Sequence, residues 1–343
     1  MANNERLKSL QAYLKKRNIS SAVLSSLLSP DDSLEYFSGF GKEAILFIGK
    51  KPVLCHFKLD EKSRVMVKRR SFARFKELAG FVKKKLAGSE KIGINARAMT
   101  VKELSWLKRQ RRARYLDISK YIFELVAVKS DDEISKIRKA CRITSRIFKQ
   151  CMSRFGQFRT EGQVKRFLLD LTEKYRCTPA FPPIVASGGS ASIPHYSKEA
   201  KLKKGFCVID YGVKYQGYSS DMTRTIYLGI PAAEEKKLYE ELLAVQNKMI
   251  GLVKPGIKAL WLEEEARKEM KSRKKLLLHG LSHSLGLAVH EAMPKKLSKG
   301  VVMAIEPGFY KQDRFGIRIE DTVLVTAGGA KRLTACSSKL RII

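Results

Sequence analysis

The spacing of apolar residues follows either a helical or a strand period through the first third of the chain. It predicts three helices and four strands, in the order helix 5–17, strand ISSAVLSS, hairpin strands EAILFIG and KPVLCHF, helix RFKELAGFVKKKLAG, strand KIGIN and helix MTVKELSWLKRQRRA. Thr100 and Glu103 form a capping box at the start of the last helix. Residues 1–122 are therefore expected to form a mixed α/β domain.

A second domain is expected over residues 123–343. The segment DDEISKIRKACRITSRIFKQCMSRF opens with acidic residues, which suit a helix N-terminus, and then keeps a 3.6-residue period. Thr160 and Gln163 cap another helix. The remaining pattern predicts two more helices, and strands in FCVIDYGVKYQGYSSDMTRTIYLG, VVMAIEPGFY, GIRIEDTVLV and AKRLT. This order favours an α+β fold in which a curved antiparallel sheet is flanked by helices.

Length and composition narrow the class of protein. The 343 residues are enough for two domains, and 44% of them are hydrophobic, which is ample for a folded core. No run approaches the roughly 20 apolar residues that span a bilayer, and the start MANNERLKSLQAYLKKRN has no signal-peptide core. A cytoplasmic protein without membrane attachment is expected. The six cysteines form no CxxC pair and are expected to be reduced thiols.

The net charge of +34 raises the question of a polyanionic partner. The excess is spread over both halves of the chain, in short runs such as VKRR, KKK, RQRRAR and KSRKK. Such runs neutralise phosphates and give salt-sensitive binding to nucleic acid. They lack interleaved aromatic residues for base stacking and any known reading motif. At most weak and nonspecific contact with nucleic acid is therefore expected.

The histidines are concentrated in one stretch. HGLSHSLGLAVHE, residues 279–291, holds three of the five histidines in the chain, at positions 279, 283 and 290. Neutral imidazole is a frequent metal ligand and exchanges protons near neutral pH. Taken alone, the stretch is equally compatible with histidines that have no common role.

Four carboxylates interrupt apolar strand patterns elsewhere in the chain. Asp210 and Asp221 lie on neighbouring strands of an apparent hairpin, and Glu306 and Glu320 lie in MAIEPG and IRIEDT. A simpler interpretation has Asp210 capping a turn, Asp221 pairing with Arg224 and the glutamates on the surface. Carboxylates brought together in apolar surroundings repel unless they bind a cation. Four are enough to hold two hard or borderline divalent ions, a pair that suits the hydrolysis of an amide.

Five segments together resemble the motif blocks of the metallopeptidases with the creatinase or "pita-bread" fold, family M24. They are SGGSASIPHY, IDYGVKYQGYSSDMTRT, HGLSHSLGLAVHE, MAIEPGFY and RIEDT. The closest branch is the proline-specific one, aminopeptidase P and prolidase. The preceding domain, with LEYFSGF, resembles the creatinase-type N-terminal domain. The resemblance implies a pita-bread catalytic domain and hydrolysis of the Xaa-Pro bond at the N-terminus of peptides, without separating an aminopeptidase from a dipeptidase.

The resemblance also implies roles for individual residues. The implied metal ligands are Asp210, Asp221, His283, Glu306 and Glu320, and the implied substrate-binding residues are His195, His279, His290 and Arg318. Glu306 is expected to take the proton of the attacking water, His195 and His290 to orient the substrate and stabilise the tetrahedral intermediate, and Arg318 to hold the carboxylates in place. The implied cofactors are two divalent ions, Mn2+ or Co2+ first, with Zn2+ or Fe2+ as further options. Proline-containing peptides and a second copy of the chain, in a homodimer, are the implied partners.

Two other functions stay open at this point. A methionine aminopeptidase-like enzyme shares the fold but usually lacks a separate N-terminal domain of this size. A catalytically inactive relative that binds RNA, ribosomes or histones would suit the positive charge. Such relatives generally lose metal ligands, and all five ligand positions are intact here.

Overall fold

The computed structural model describes residues 2–58, 65 and 67–343, and its contacts separate two compact units. The first unit ends at Val126 and the second begins at Ala127. The sequence pattern put the change of domain between residues 122 and 123. That position lies inside the helix Ser119–Ala127.

The first unit is built on one mixed sheet. In chain order its elements are α1 (Ala2–Lys16), β1 (Ser21–Ser25), α2 (Asp32–Ser38), β2 (Ala44–Ile48), β3 (Val53–Phe57), β4 (Lys68–Phe72), α3 (Phe75–Lys85), β5 (Lys91–Ile94), α4 (Val101–Gln110), β6 (Arg114–Asp117) and α5 (Ser119–Ala127). The strand order is β4-β3-β2-β1-β5-β6. Only β2 runs antiparallel to its neighbours, so the other five strands point the same way.

Four of these elements were not predicted from the sequence. The strands β4 and β6 and the helices α2 and α5 are short, and β4 begins with three exposed basic residues. An edge strand of this kind has no apolar alternation to reveal it. The helix α2 depends on local caps, because the Asp31 side chain accepts from the Ser33 N–H and Gly39 ends the helix at φ 74°.

The second unit contains the remaining helices and strands. They are α6 (Asp131–Ser153), α7 (Glu161–Lys174), β7 (Thr178–Pro179), β8 (Ile184–Ser187), β9 (Gly205–Tyr211), β10 (Val213–Tyr215), β11 (Tyr218–Ser219), β12 (Met222–Leu228), α8 (Ala233–Leu252), α9 (Ala259–Glu269), β13 (Ser282–Ser284), β14 (Val302–Ile305), β15 (Gly308–Lys311), β16 (Phe315–Arg318), β17 (Asp321–Thr326), β18 (Gly329–Arg332) and β19 (Arg341–Ile342). All strand pairs among these are antiparallel except β12 with β19.

Two sheets of this unit have separate hydrophobic cores. The sheet β19-β12-β9-β8 is covered by α6 and α7, whose Ile147 and Leu168 pack with Ile209 of β9. The sheet β13-β14-β17-β18 is covered by α8 and α9, whose Leu242 and Leu262 belong to a second cluster of buried apolar side chains. Helices thus cover the apolar faces of these strands, as the alternating sequence pattern requires.

Three of the four acidic residues singled out from the sequence lie where strands end or break. Asp210 is in β9 directly opposite Thr223 of β12. Asp221 immediately precedes β12, Glu306 follows β14, and Glu320 precedes β17. Asp221, Glu306 and Glu320 therefore project from the ends of strands, whereas Asp210 occupies a ladder position inside β9, between Thr223 and Ile184.

Gly212 permits the close chain path between β9 and β10. A Cβ atom at this position would lie 1.9 Å from the carbonyl oxygen of Ser220. No side chain fits against a backbone oxygen at that distance. The glycine therefore lets the hairpin bring Asp210 and Asp221 to the same end of the sheet.

Arg224 does not pair with Asp221, which was the simpler interpretation of the sequence. Its Nη2 atom lies 2.6 Å from Oδ1 of Asp321, and both side chains are almost fully buried. Asp221 is thereby left among other acidic residues.

Candidate metal centre and active site

Three buried carboxylates and one histidine converge in the second unit. Carboxylate oxygens of Asp210, Asp221 and Glu320 lie within 4.8 Å of one another. Nε2 of His283 is 3.6 Å from Asp221 Oδ2, 3.5 Å from Glu306 Oε1 and 3.8 Å from Glu320 Oε1. The structure thus brings together all five residues that the resemblance assigned as metal ligands.

Burial and mutual repulsion act in the same direction on these acids. Burial raises the pKa of Asp221 well above its usual value, and the charges of Glu320, Asp210 and Glu306 raise it further. The pKa of Glu320 is raised for the same reasons, burial first and then Glu306 and Asp210. Burial also raises the pKa of Glu306, to about 8. A cation between these groups would remove the repulsion.

One oxygen on each of three carboxylates has no hydrogen-bond partner among the described residues. These buried atoms are Oδ1 of Asp210, Oδ1 of Asp221 and Oε1 of Glu320. A buried acceptor without a partner costs about 1–3 kcal/mol, and more when it is charged. The donor set, mostly carboxylate oxygen with one imidazole nitrogen, suits a hard or borderline divalent ion.

Arg318 holds the other oxygens of two of these carboxylates. Its Nη2 atom donates to Oδ2 of Asp210 at 2.6 Å, and its Nε atom donates to Oγ1 of Thr223 at 3.1 Å. The Thr223 hydroxyl in turn donates to Oε2 of Glu320 at 2.7 Å. Asp210 and Glu320 are therefore each oriented through one oxygen, which leaves the other oxygen facing the centre.

His283 is oriented so that a lone pair faces the acids. Its Nδ1 atom lies 3.3 Å from the carbonyl oxygen of Ser284, an acceptor, so Nδ1 carries the proton and Nε2 does not. Burial lowers the pKa of His283 to about 4, so the ring is neutral at pH 7. A neutral Nε2 facing carboxylate oxygens is repulsive unless a cation lies between them. This observation, together with the orphaned oxygens, shows that the residues fit a metal.

His279 is linked to Arg318 through Tyr310. Its Nδ1 atom lies 2.9 Å from the carbonyl oxygen of Gly280, and its Nε2 atom is 2.9 Å from the Tyr310 hydroxyl. That hydroxyl also accepts from Nη1 of Arg318 at 2.9 Å. Burial lowers the pKa of His279 to about 4, so the ring is neutral. Tyr310 and Thr223 were both missed as site residues, although each lies inside a quoted motif segment.

His290 and His195 complete the histidine set. The rings of His290 and His283 have centroids 4.3 Å apart, and ligand atoms of Asp221, His283 and His290 lie within 4.8 Å of one another. The imidazole of His290 is thus placed where it could also contribute a metal ligand. His195 is exposed and borders the same space.

All the site residues named from the sequence line one cavity of about 790 Å³. Its apolar wall includes Phe181, Pro182, Pro183 and Ile184. Two basic residues of α7, Lys165 and Arg166, also line it. The cavity therefore combines an acidic centre, an apolar wall and a basic segment.

A two-domain fold with a carboxylate and histidine centre in its second domain defines a metallopeptidase, and the chain belongs to metallopeptidase family M24. Residues 135–327 match that family, and residues 6–125 match the creatinase/prolidase N-terminal domain. The family, and the α+β fold class with a creatinase-like N-terminal domain, are thereby confirmed. Membership also implies divalent metal ions.

Particular relatives are similar along nearly the whole chain. The Xaa-Pro dipeptidase of Pyrococcus horikoshii is 31% identical over 360 residues, which cover 98% of this chain and 99% of the relative. The crystal structure of the prolidase from Pyrococcus horikoshii OT3 superposes with a TM-score of 0.90, at 29% identity, over 98% of this chain and 99% of that one. The X-Pro aminopeptidase of Thermotoga maritima gives a TM-score of 0.87 at 25% identity, over 98% and 99%.

The helices give no sign of a membrane span. Over residues 2–58 and 67–343, none is both long enough and apolar enough to cross a bilayer.

Proposed function

We propose that this protein is a metal-dependent Xaa-Pro dipeptidase. The observation behind the hydrolytic part is the position of His283 Nε2, which lies 3.6 Å from Oδ2 of Asp221 and 3.8 Å from the orphaned Oε1 of Glu320, inside a cavity of substrate size. The proline preference is supported by the relatives, since the protein of Pyrococcus horikoshii carries the name Xaa-Pro dipeptidase.

The proposed cofactors are two divalent ions, with Mn2+ or Co2+ favoured by the oxygen-rich ligands. The proposed ligands are Asp210, Asp221, His283, Glu306 and Glu320. Such ions would polarise the scissile carbonyl and make a water molecule nucleophilic at neutral pH. Substrate binding and proton transfer would be carried out by residues of this chain.

Glu306 is the proposed proton carrier. Its Oε1 atom lies among the proposed metal ligands, 3.5 Å from Nε2 of His283. Its Oε2 atom lies 3.9 Å from Nδ1 of His279. Oε2 would accept the proton of the attacking water and deliver it to the leaving proline nitrogen. The exposed His195 and the half-buried His279 would orient the substrate carbonyl from the cavity side.

The apolar wall suits a proline ring. Proline's amide nitrogen has no hydrogen and its ring fixes the backbone, so its recognition depends on shape and not on donation from the nitrogen. Phe181, Pro182, Pro183 and Ile184 offer apolar surface close to the acidic centre.

Lys165 and Arg166 favour a dipeptide over a longer peptide. The Lys165 ammonium is buried, donates to the carbonyl oxygen of Lys198 at 3.0 Å and lies 5.9 Å from the centroid of the Tyr196 ring. The exposed Arg166 forms no ion pair with the part of the chain that the structure describes. In a dipeptide the C-terminal carboxylate lies one residue from the scissile bond, where these cations would bind it.

The central test is hydrolysis by the metal-loaded protein. With added Mn2+ or Co2+ we expect cleavage of Xaa-Pro dipeptides, weaker cleavage of Xaa-Pro-Yaa tripeptides and none of Met-Ala. Faster cleavage of the tripeptides would support an Xaa-Pro aminopeptidase instead. Cleavage of Met-Ala in preference to both would support a methionine aminopeptidase-like enzyme. Inertness towards all three with metal bound would contradict the proposal.

Replacing Arg166 by Gln is expected to raise KM for an Xaa-Pro dipeptide at least tenfold, because one charge-assisted hydrogen bond to the carboxylate is worth roughly 1.5–3 kcal/mol. KM for the corresponding Xaa-Pro amide, which has no carboxylate, should hardly change. Lys174→Gln, on the same helix but outside the cavity lining, is the control and should affect neither substrate. Equal changes in KM for the acid and the amide would exclude this role for Arg166.

The homodimer, the cytoplasmic location and the domain limits 1–122 and 123–343 stay predictions. Sedimentation of the purified protein, fractionation of cells and expression of the separate segments are the corresponding measurements.

A further inference from the structure

The strand directions of the first unit bring many of its basic residues to one edge of the sheet. The strands β1, β3, β4, β5 and β6 are parallel, so their N-terminal ends meet there, beside the C-terminal end of β2. Thirteen lysines and arginines occupy the chain segments at these ends, and we call them the basic edge: Lys15, Lys16, Arg17, Lys50, Lys51, Lys68, Lys83, Lys84, Lys85, Lys91, Arg111, Arg112 and Arg114.

Hydrogen bonds connect these segments across the edge. Nζ of Lys85, at the end of α3, donates to the carbonyl oxygen of Lys51 in the β2–β3 turn at 3.4 Å. The N–H of Ser20 donates to the carbonyl oxygen of Lys91 at 3.0 Å. Lys91 in turn lies opposite Arg114 in the sheet. The basic edge is therefore one continuous surface.

Negative charge is nearly absent from this surface. Within the described residues of segments 15–18, 49–52, 67–68, 83–91 and 111–114, Glu90 is the only carboxylate. None of the thirteen cations forms an ion pair with another described residue. The opposite edge is different, because it holds seven of the ten carboxylates among the described residues of the unit: Asp31, Asp32, Glu35, Glu43, Glu77, Glu103 and Asp117. The uneven distribution lies in the carboxylates, since cations such as Lys42, Arg74 and Lys102 occur at the opposite edge as well.

The apolar surface of the first unit is also separated from the basic edge. Its exposed large apolar residues, Leu28, Phe75 and Val101, follow the C-terminal ends of strands and so lie at the opposite edge. Binding to a bilayer surface usually combines cations with apolar side chains that insert. Binding to single-stranded nucleic acid usually adds exposed aromatic rings. The basic edge offers charge alone.

We propose that the basic edge binds the phosphate backbone of double-stranded nucleic acid without reading its sequence. A duplex has one charge per roughly 1.7 Å of its axis, and six strands spaced about 4.8 Å apart present a face about 24 Å wide. A rigid duplex surface therefore places several phosphates opposite these lysines and arginines at once. DNA and RNA duplexes share this chemistry. Binding would release counterions and weaken steeply with salt.

The test uses the full-length, metal-loaded protein and labelled duplexes of about 30 base pairs, one of DNA and one of RNA. Fluorescence anisotropy should show binding at low salt, with a slope of log K against log[KCl] of about −4 or steeper. Separate DNA and RNA arms show which duplex binds more tightly. Binding of neither duplex at low salt would overturn the proposal.

Matched charge variants separate a localised site from overall charge. The quadruple variant K50Q/K51Q/K83Q/K84Q should weaken duplex binding at least tenfold and make the salt slope shallower. K236Q/K237Q/K274Q/K275Q, in the second unit, removes the same charge from exposed positions and should weaken binding less than threefold. Peptidase activity of both variants should equal that of the wild type, which shows that they are folded. Equal losses in the two variants would overturn the proposal, and so would tighter binding to single strands or to anionic vesicles than to either duplex.

Discussion

Asp221→Asn will abolish peptidase activity and yet stabilise the metal-free protein. Activity on Xaa-Pro dipeptides should fall at least a thousandfold, because a proposed metal ligand is lost. In EDTA the free energy of unfolding of the variant should exceed that of the wild type by about 1 kcal/mol or more. The reason is that burial and the neighbouring acids Glu320, Asp210 and Glu306 disfavour the Asp221 carboxylate. Added Mn2+ should stabilise the wild type and have little effect on the variant.

Thermal unfolding of both proteins, in EDTA and in Mn2+, measures the changes in stability. Hydrolysis of Xaa-Pro dipeptides measures the change in activity. Asp170→Asn on α7 is the control, since it removes an exposed carboxylate outside the cavity lining and should change neither stability nor activity. A variant that is less stable than the wild type in EDTA would show that burial and the neighbouring acids do not make the Asp221 carboxylate destabilising. That result would remove the main physical argument for the metal centre.

Asp321→Ala is expected to lower the free energy of unfolding by about 3–5 kcal/mol, more than the other substitutions proposed for this protein. The reason is that it leaves the buried charge of Arg224 unpaired. Arg224 also donates from Nη1 to the carbonyl oxygens of Thr223 at 2.9 Å and Glu320 at 2.5 Å. Loss of Asp321 should therefore disturb the strands that position the site, and activity should fall with stability. Urea unfolding in EDTA measures the effect without a contribution from bound metal.

The double variant Arg224→Met/Asp321→Ala tests the cause. Removing both charges should recover part of the stability lost in the single variant, because no unpaired ion is then buried. Asp321→Asn, which keeps acceptor capacity at this position, should lose less than Asp321→Ala. A double variant no more stable than Asp321→Ala would show that packing, and not the unpaired charge, is responsible.

Local patterns predicted many of the helices and strands. The capping boxes at Thr100 and Thr160 are confirmed by hydrogen bonds from Glu103 N–H and Gln163 N–H to the threonine hydroxyls. The strands around Asp210 and the hairpin of β2 and β3 are also confirmed. These features depend on residues close together in the chain, so apolar spacing and cap chemistry are sufficient to identify them.

The sequence by itself singled out the carboxylates and histidines that the structure brings to one cavity. Acidic residues in apolar strands are visible in the local pattern, and the resemblance to the M24 motif blocks implied the roles of the histidines. Only the tertiary structure decided how they are held: Arg318 on Asp210, Thr223 on Glu320, Arg224 paired with Asp321 and not with Asp221. It also decided that scattered basic runs form one edge of the first unit. The reason is physical, since period and propensity report which side of an element is buried, whereas the pairing of distant strands depends on chain closure and packing over about a hundred residues.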